Sequence, residues 1–144
     1  MDTIHYERPA KPGLLEASAI LTIISGGVHL LGFVTLFVGL AIFGLATFGL
    51  GCCLLPLSFL PLFLGLYEVR YGLKLMADPA GVYEANRTLA IVQICLIVFG
   101  NILAFSAGLV SLLAYSDERS GRYFAALRGE RQAPPPAATP PPAA

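Results

Sequence analysis

The chain has 144 residues, of which 56% are hydrophobic and only 12% charged, with a mean hydropathy of +0.75. Soluble domains usually carry about 25% charged residues, so this composition excludes an ordinary soluble domain. The formal net charge is zero, and nothing in it favours nucleic-acid binding. The chain is therefore predicted to be an integral membrane protein whose main partner is the lipid bilayer.

The N-terminal segment, residues 1–13, is polar and carries charges of both signs. The apolar run that follows it is far too long for the h-region of a cleavable signal, so we expect no such signal. Between Glu16 and Glu68 lie 51 residues without Asp, Glu, Lys or Arg. One helix of that length would measure about 77 Å, against a hydrocarbon core of about 30 Å. The run must therefore fold back once.

The fold-back is predicted where three glycines cluster, at 44–51. This turn divides the run into a first span near 17–43 and a second near 52–76. Pro56 and Pro61 predict a kink in the second helix. Since the turn carries no Lys or Arg, it should face away from the cytoplasm.

The second uncharged run, 88–116, has 29 residues and would measure about 44 Å as a helix. Tilt can accommodate that length, so we predict one straight span over 88–115. The alternative is a re-entrant hairpin that turns back at Gly100 and Asn101, although each arm would be too short to span. A straight span puts four of the nine Lys and Arg residues outside, whereas the hairpin puts all nine inside.

These elements predict an all-α membrane protein, a bundle of three long transmembrane helices within residues 14–116. The following segment, 117–131, should contain a short amphipathic helix lying in the membrane interface, with Tyr123 and Phe124 towards the lipid. The last segment, 132–144, contains mainly Pro and Ala and is predicted to be disordered.

Small and polar residues recur on one face of the first helix and again in the third. Helices associate in lipid through close backbone approach and hydrogen bonds, which such residues provide. The faces fit packing inside the bundle, and also contact with a second copy or with a larger membrane complex. The predicted packing residues are Ser18, Thr22, Ser25, His29, Gly32, Gly100, Asn101, Ala104, Gly108 and Ser111.

His29 is the one ionisable side chain deep inside the first run, and such residues are functional candidates. Its imidazole could bind a chlorophyll or haem metal. Ser25, four residues earlier, resembles the small-residue spacing in the pigment-binding helix of bacterial light-harvesting polypeptides. The main alternative is a neutral histidine that hydrogen-bonds to a neighbouring helix.

Polar and aromatic residues near the end of the second helix are typical of interfacial anchors, because tyrosine sits at headgroup level and long basic chains snorkel. The predicted anchors are Tyr67, Glu68, Arg70, Tyr71 and Lys74. A buried Glu68 paired across helices is the alternative for that residue. Asn86 is predicted to cap the third helix.

No catalytic motif or metal-ligand spacing is present in the sequence, and neither Cys52 and Cys53 nor Cys95 forms one. Membrane-embedded enzymes need several polar catalytic groups at matched depth, so no catalytic residue and no enzyme activity are predicted.

Leu66-Tyr67-Glu68, Gly72, Lys74-Leu75, Gly100-Asn101, Gly108-Leu109, Ser116-Asp117 and Tyr123-Phe124 together resemble a group of small uncharacterised bacterial multi-span membrane proteins. The resemblance covers about residues 14–125. It implies a location in the bacterial cytoplasmic (inner) membrane and no particular activity.

The leading hypothesis is therefore a non-enzymatic membrane protein that acts by helix–helix association, as an accessory or scaffold subunit or as a homo-oligomer. One alternative is a pigment- or cofactor-binding subunit of an energy-transducing complex, through His29. Another is a small oligomeric channel or transporter whose pore is lined by the polar face of the first helix.

Overall fold

The structure is a computed structural model that describes residues 10–47 and 49–128. Every regular element in those two ranges is helical, as predicted. The α-helices are α1 (Gly13–Ala46), α2 (Phe59–Met76), α3 (Arg87–Cys95), α4 (Ile102–Ser116) and α5 (Glu118–Leu127). Two 3₁₀ segments, Leu50–Ser58 and Leu96–Phe99, precede α2 and follow α3. The predicted tail at 132–144 and most of the polar segment 1–13 lie outside the described residues.

The helix α1 is long because nothing interrupts it: its 34 residues contain no proline and span about 51 Å. It ends inside the predicted 44–51 turn. There Gly49 adopts φ 99°, a left-handed conformation that glycine tolerates best, and its N–H donates to the Gly44 carbonyl. The turn prediction is confirmed.

Two prolines lie in the second apolar run. Pro56 is the seventh residue of the 3₁₀ segment and Pro61 is the third residue of α2. The 3₁₀ segment continues directly into α2, because Ser58 and Phe59 both adopt right-handed helical dihedral angles and the Phe59 N–H donates to the Pro56 carbonyl. The change from 3₁₀ to α-helix thus falls between the two prolines, and the kink stays a prediction.

Two stretches, Gly13–Ala46 and Cys53–Met76, are long and apolar enough to cross a membrane. Only 11% and 17% of their most apolar windows are buried in the protein, which differs from the core helices of a soluble domain.

The prediction of one helix over 88–115 is wrong. Gly100 adopts φ 76° and ends the first part, and the Asn101 side chain then accepts a hydrogen bond from the Ala104 N–H to begin α4. The helices α3 and α4 then run back along each other in close contact: a Cβ added at Gly108 would be 2.5 Å from the Ala90 carbonyl oxygen. Residues 87–116 thus form a helical hairpin, and the predicted bundle of three long transmembrane helices is not confirmed.

The hairpin is short and its turn is internally bonded. Each half of the hairpin measures about 22 Å, where the first half is α3 together with its 3₁₀ segment and the second is α4. At the tip, the Gly100 N–H donates to the Ile97 carbonyl and the Asn101 N–H to the Leu96 carbonyl. The backbone of the tip therefore has partners without water.

The helix α1 packs along α2 on one side and α4 on the other, and α3 packs against α4. The apolar core lies at one end of the molecule, beside the first and last residues of the hairpin, where α5 covers it. The cluster consists of Leu15, Ala19, Tyr71, Leu75, Ala80, Leu89, Ala90, Ala114, Tyr115, Tyr123 and Phe124. We call this half of the molecule the base.

The amphipathic helix is found as α5, but its apolar face does not point outward. Tyr123 and Phe124 are buried in the base, and the Tyr123 hydroxyl accepts a hydrogen bond from the Ala80 N–H. The expectation that these side chains face lipid is wrong, because the loop after α2 folds under α5 and covers them.

The other half of α1 and α2 has no such core. We call residues 30–63 the arm. Among the described side chains between Leu30 and Phe63 none of the large apolar ones is buried, and Leu45 is 85% exposed. Phe33, Phe37 and Phe59 hold its two helices together, with ring centroids 5.7 to 6.3 Å apart.

Candidate functional site: a buried polar cluster at the hairpin tip

Glycines bring the backbones of α1 and α2 into direct contact. A Cβ at Gly26 would be 2.8 Å from the Gly65 carbonyl oxygen, and one at Gly65 would be 2.8 Å from that of Gly26. Two turns further along α2, a Cβ at Gly72 would be 3.0 Å from the Ala19 carbonyl oxygen. Approach this close needs residues without side chains. It fixes the register of the two helices and sets His29 beside Glu68.

One polar side chain from each of four helices meets where the arm joins the base. His29 Nδ1 on α1 lies 2.8 Å from Glu68 Oε2 on α2. Gln93 Nε2 on α3 donates to Glu68 Oε1 at 3.0 Å. Asn101 Nδ2, at the start of α4, lies 3.0 Å from His29 Nε2. We call these four residues the polar cluster.

Three of the four residues of the polar cluster are buried, and Asn101 is half-buried. Glu68 and Gln93 are fully buried and His29 is 7% exposed. A buried ionisable group is costly unless it is paired and hydrogen-bonded, and here both carboxylate oxygens and both ring nitrogens have partners. The cluster therefore ties α1, α2, α3 and α4 together at one depth.

Among the described residues, three buried side-chain polar atoms make no hydrogen bond: one is the Ser120 hydroxyl on α5, and the other two lie near the polar cluster. The Ser25 hydroxyl and the Gln93 Oε1 atom are buried and make no hydrogen bond. Ser25 lies one turn before His29 on the same face of α1, and Gln93 belongs to the polar cluster. Buried polar atoms of native proteins usually have partners, so this spare donor and spare acceptor are unusual.

Nearer the core of the base, hydroxyl groups link the helices. Ser18 Oγ and Ser111 Oγ are 2.8 Å apart, and the Tyr71 and Tyr115 hydroxyls are 3.1 Å apart. The Tyr71 hydroxyl also accepts from the Asn86 N–H. These bonds join α1 to α4 and α2 to both ends of the hairpin.

The predicted packing face of α1 is divided between two environments. Ser18, Thr22, Ser25 and His29 are buried inside the base, against α2 and the hairpin. Gly32, in contrast, lies on the arm, and a Cβ there would meet nothing within 4 Å. The α1 face therefore packs internally only as far as the polar cluster.

The predicted packing residues of the hairpin all lie at or near α4. Ala104, Gly108 and Ser111 are buried, and a Cβ at Gly108 would crowd α3. Gly100 forms the exposed turn and Asn101 joins the polar cluster. Apart from Gly100, these residues pack within the chain, where α4 contacts α1 and α3.

The five predicted interfacial anchors include both exposed and buried residues. Tyr67, Arg70 and Lys74 are exposed, as an interfacial position requires. Glu68 and Tyr71 are buried and bonded to other helices, so their placement at the surface is wrong. The reason is the register of α1 against α2, which turns both residues towards α1 and the hairpin.

Sequence reasoning did not place Gln93 in a site, although an amide inside an uncharged run is a signal of the same kind as His29. The Asn86 cap was expected: its side chain accepts from the Leu89 N–H at the start of α3. That prediction is confirmed.

Binding of a pigment or haem by His29 would need a free ring nitrogen, and both are hydrogen-bonded to side chains. Within residues 10–47 and 49–128, no group of three His, Cys, Asp or Glu residues is arranged to hold a metal ion. Cys53 and Cys95 are exposed.

Comparison with known proteins found no matching family, no similar characterised protein and no similar solved structure. The resemblance to small bacterial membrane proteins thus stays a prediction.

Proposed function

We propose that the chain is an integral membrane protein of the bacterial cytoplasmic (inner) membrane, with α1 and α2 crossing the bilayer and 87–116 entering as a re-entrant hairpin. The length of the two hairpin halves supports this, because about 22 Å is less than the hydrocarbon thickness of about 30 Å. The internally bonded tip also supports it, because non-helical backbone at membrane depth needs partners.

Charge supports one orientation for this arrangement. The hairpin brings Lys11, Lys74, Arg87 and Arg128 to the same end of the molecule: Lys11 Nζ donates to the Ala77 carbonyl and Arg128 to that of Tyr83. The described loop at the opposite end, 47–58 without residue 48, contains no charged residue. By the positive-inside rule the base faces the cytoplasm.

Reporter fusions test this topology. A reporter joined after residue 128 should be active only in its cytoplasmic form, and one inserted at residue 49 only in its periplasmic form. A periplasmic C-terminal reporter would instead support three crossings and refute the re-entrant hairpin.

For the activity, we propose non-enzymatic helix–helix association through the arm, in a homo-oligomer. One observation carries this. Gly32 and Gly39, seven residues apart on α1, are exposed, and a Cβ at either would meet nothing within 4 Å. Seven residues make about two turns, so the two glycines share a face on which another helix can approach closely.

Paired substitutions test the association. Gly32→Ile with Gly39→Ile should convert the oligomer to a monomer in mild detergent, as measured by native mass spectrometry or cross-linking. The matched control is Gly27→Ile, because Gly27 also has open space at its Cβ but lies in the base. Equal oligomerisation in all three proteins would refute the role of this face.

An accessory role in a larger complex is the close variant of this proposal. Gentle extraction followed by mass spectrometry distinguishes the two, because an accessory subunit copurifies with other chains in fixed ratio. Absorbance of the purified protein tests the cofactor alternative. A spectrum without a chromophore band would remove it.

Transport is the second candidate function, and the polar cluster favours it. The Ser18, Thr22 and Ser25 face, expected to line a pore, packs inside the chain, but a buried carboxylate beside an imidazole at membrane depth is a feature of proton relays. Proton flux into liposomes that is lost on replacing Glu68 would support this role; no flux with the native protein would remove it.

A further inference from the structure

The direction of one hydrogen bond in the polar cluster is set by a helix cap. Asn101 Oδ1 accepts from the Ala104 N–H at 2.9 Å, so the amide oxygen points at α4. The Nδ2 group therefore points at His29, and an amide nitrogen can only donate. It follows that His29 Nε2 is the acceptor and carries no hydrogen.

The rest of the chain of bonds follows from this one. A neutral imidazole has one N–H, so the hydrogen of His29 lies on Nδ1 and is donated to Glu68 Oε2. Glu68 Oε1 meanwhile accepts from Gln93 Nε2. With the amide orientations of this structure, both carboxylate oxygens accept and neither donates, which is the bonding pattern of an ionised Glu68 beside a neutral His29. As bonded here, the polar cluster holds one net negative charge.

No positive side chain bonds to this charge among the described residues. On α1 beyond Glu16 the one ionisable side chain is His29, and α4 before Tyr115 contains none. On α2 the nearest, Arg70 and Tyr67, are exposed, and Tyr71 is bonded to Tyr115 further into the base. On α3 the ionisable groups are Arg87 and Cys95, both exposed.

A lone buried charge is expensive, so the polar cluster has a thermodynamic reason to bind one positive charge. Its size and bonding fit a proton. His29 Nε2 is the one ring lone pair in the cluster, and Gln93 Oε1 is a spare acceptor beside the carboxylate. A larger cation would have to displace the existing bonds to both Glu68 oxygens.

We propose that the polar cluster is a proton-binding site, and that proton uptake releases the hairpin tip from α1. One proton from water forms an N–H bond at Nε2, and the cluster changes from a net charge of −1 to zero. Two donors then face each other, Nε2–H and the Asn101 amide. Because the α4 cap prevents the amide from reversing, the Asn101 bond breaks and the tip moves away.

This inference does not depend on oligomer formation. It requires only the bonding within one chain, so the test of the Gly32 face and the test below fail independently. Asn101 acts here as a positioning residue, through His29, and is not itself the group that binds the proton.

Nitrogen NMR of the full chain tests the bonding directly. His5→Ala leaves His29 as the one histidine, which is then labelled with ¹⁵N. At the alkaline end of a titration Nδ1 should carry the hydrogen and Nε2 should be bare; at the acid end both should be protonated. An Nε2-protonated tautomer at the alkaline end, or no change across the titration of the folded protein, would overturn the proposal.

Distance measurement between spin labels tests the movement. Cys52, Cys53 and Cys95 are replaced by serine, and labels are attached at Val98→Cys on the tip and Val34→Cys on the arm, both exposed positions. In lipid nanodiscs the distance should lengthen on acidification. A constant distance from alkaline to acid conditions would overturn the coupling.

A matched pair of variants identifies the charge responsible. Glu68→Gln keeps the shape and an acceptor for His29 but removes the negative charge, so the pH response of the distance should be lost. Glu84→Gln makes the same chemical change at an exposed site and should keep the response. An equal response in both variants would contradict the proposal, and if Glu68→Gln fails to fold, the NMR titration of the native side chains decides.

Discussion

The base and the arm use the same two helices, yet only the base has an interior. In the base, the hairpin and α5 enclose apolar side chains and hydroxyl pairs. In the arm, leucines and phenylalanines point outward and three phenylalanine rings hold the pair. The difference comes from the hairpin, which ends at Gly100, level with His29. The helix α1 therefore packs against α2 and the hairpin before His29, whereas beyond His29 its small residues face outward and are open to another helix.

The largest expected effect is loss of the polar cluster. His29→Leu leaves the Glu68 carboxylate buried without its imidazole, and should destabilise the base by about 3–5 kcal/mol. The measurement is reversible unfolding in mixed micelles. The double variant with Glu68→Leu removes both the buried carboxylate and its imidazole partner and should recover part of the loss; no recovery would mean that the two residues are not coupled.

The next effect separates the two regions by crowding. Gly108→Ile forces a side chain against the Ala90 carbonyl and should cost about 1–3 kcal/mol or more, since α4 and α3 must move apart. Gly39→Ile adds the same atoms to the open face of the arm and should leave unfolding of the monomer nearly unchanged. Equal destabilisation by both would mean that the arm also has an internal partner.

A smaller effect is expected for the hydroxyl pair. Ser111→Ala removes the partner of a fully buried Ser18 and should cost about 1 kcal/mol in the same unfolding assay. Ser106→Ala is the control, because that hydroxyl bonds only to the Ile102 carbonyl of its own helix. A larger loss of unfolding free energy for Ser106→Ala than for Ser111→Ala would contradict the conclusion that Ser111 lies on the face of α4 that packs against α1.

The smallest effect is expected at the end of the arm. Leu45→Ala shortens a side chain that is 85% exposed, so the unfolding free energy should stay within about 0.5 kcal/mol. Thermal unfolding followed by circular dichroism is sufficient. A loss comparable to that at Ser111 would show that the arm is enclosed by another helix in the assay, and would sharpen the search for its partner.

Local signals in the sequence predicted the local features. The glycines at 44–51 predicted the fold-back and Asn86 predicted the start of α3, because turns and caps depend on a few neighbouring residues. Gly100 and Asn101 carried the same kind of signal. A straight span is predicted because each half of the 87–116 hairpin is too short to cross the bilayer. A hairpin that enters and returns on the same side does not have to cross.

The site was less predictable, because it depends on register between distant segments. A glutamate near the end of a span is typical of an interfacial position, and nothing near Glu68 in the chain indicates otherwise. Its burial follows from the contact between Gly26 and Gly65, which sets α1 against α2, and from the fold-back that brings Gln93 and Asn101 alongside. These are tertiary contacts without a local signature.

The loop between α1 and α2 has a consequence for how the protein enters its membrane. In the proposed orientation the translocated stretch is short and contains no charged residue in its described part, 47 and 49–58. Moving lysine or arginine through hydrocarbon is the expensive part of insertion, and this loop avoids it. The two long helices can therefore be delivered together as a hairpin, with Lys11 and Arg128 left on the side where the ribosome works.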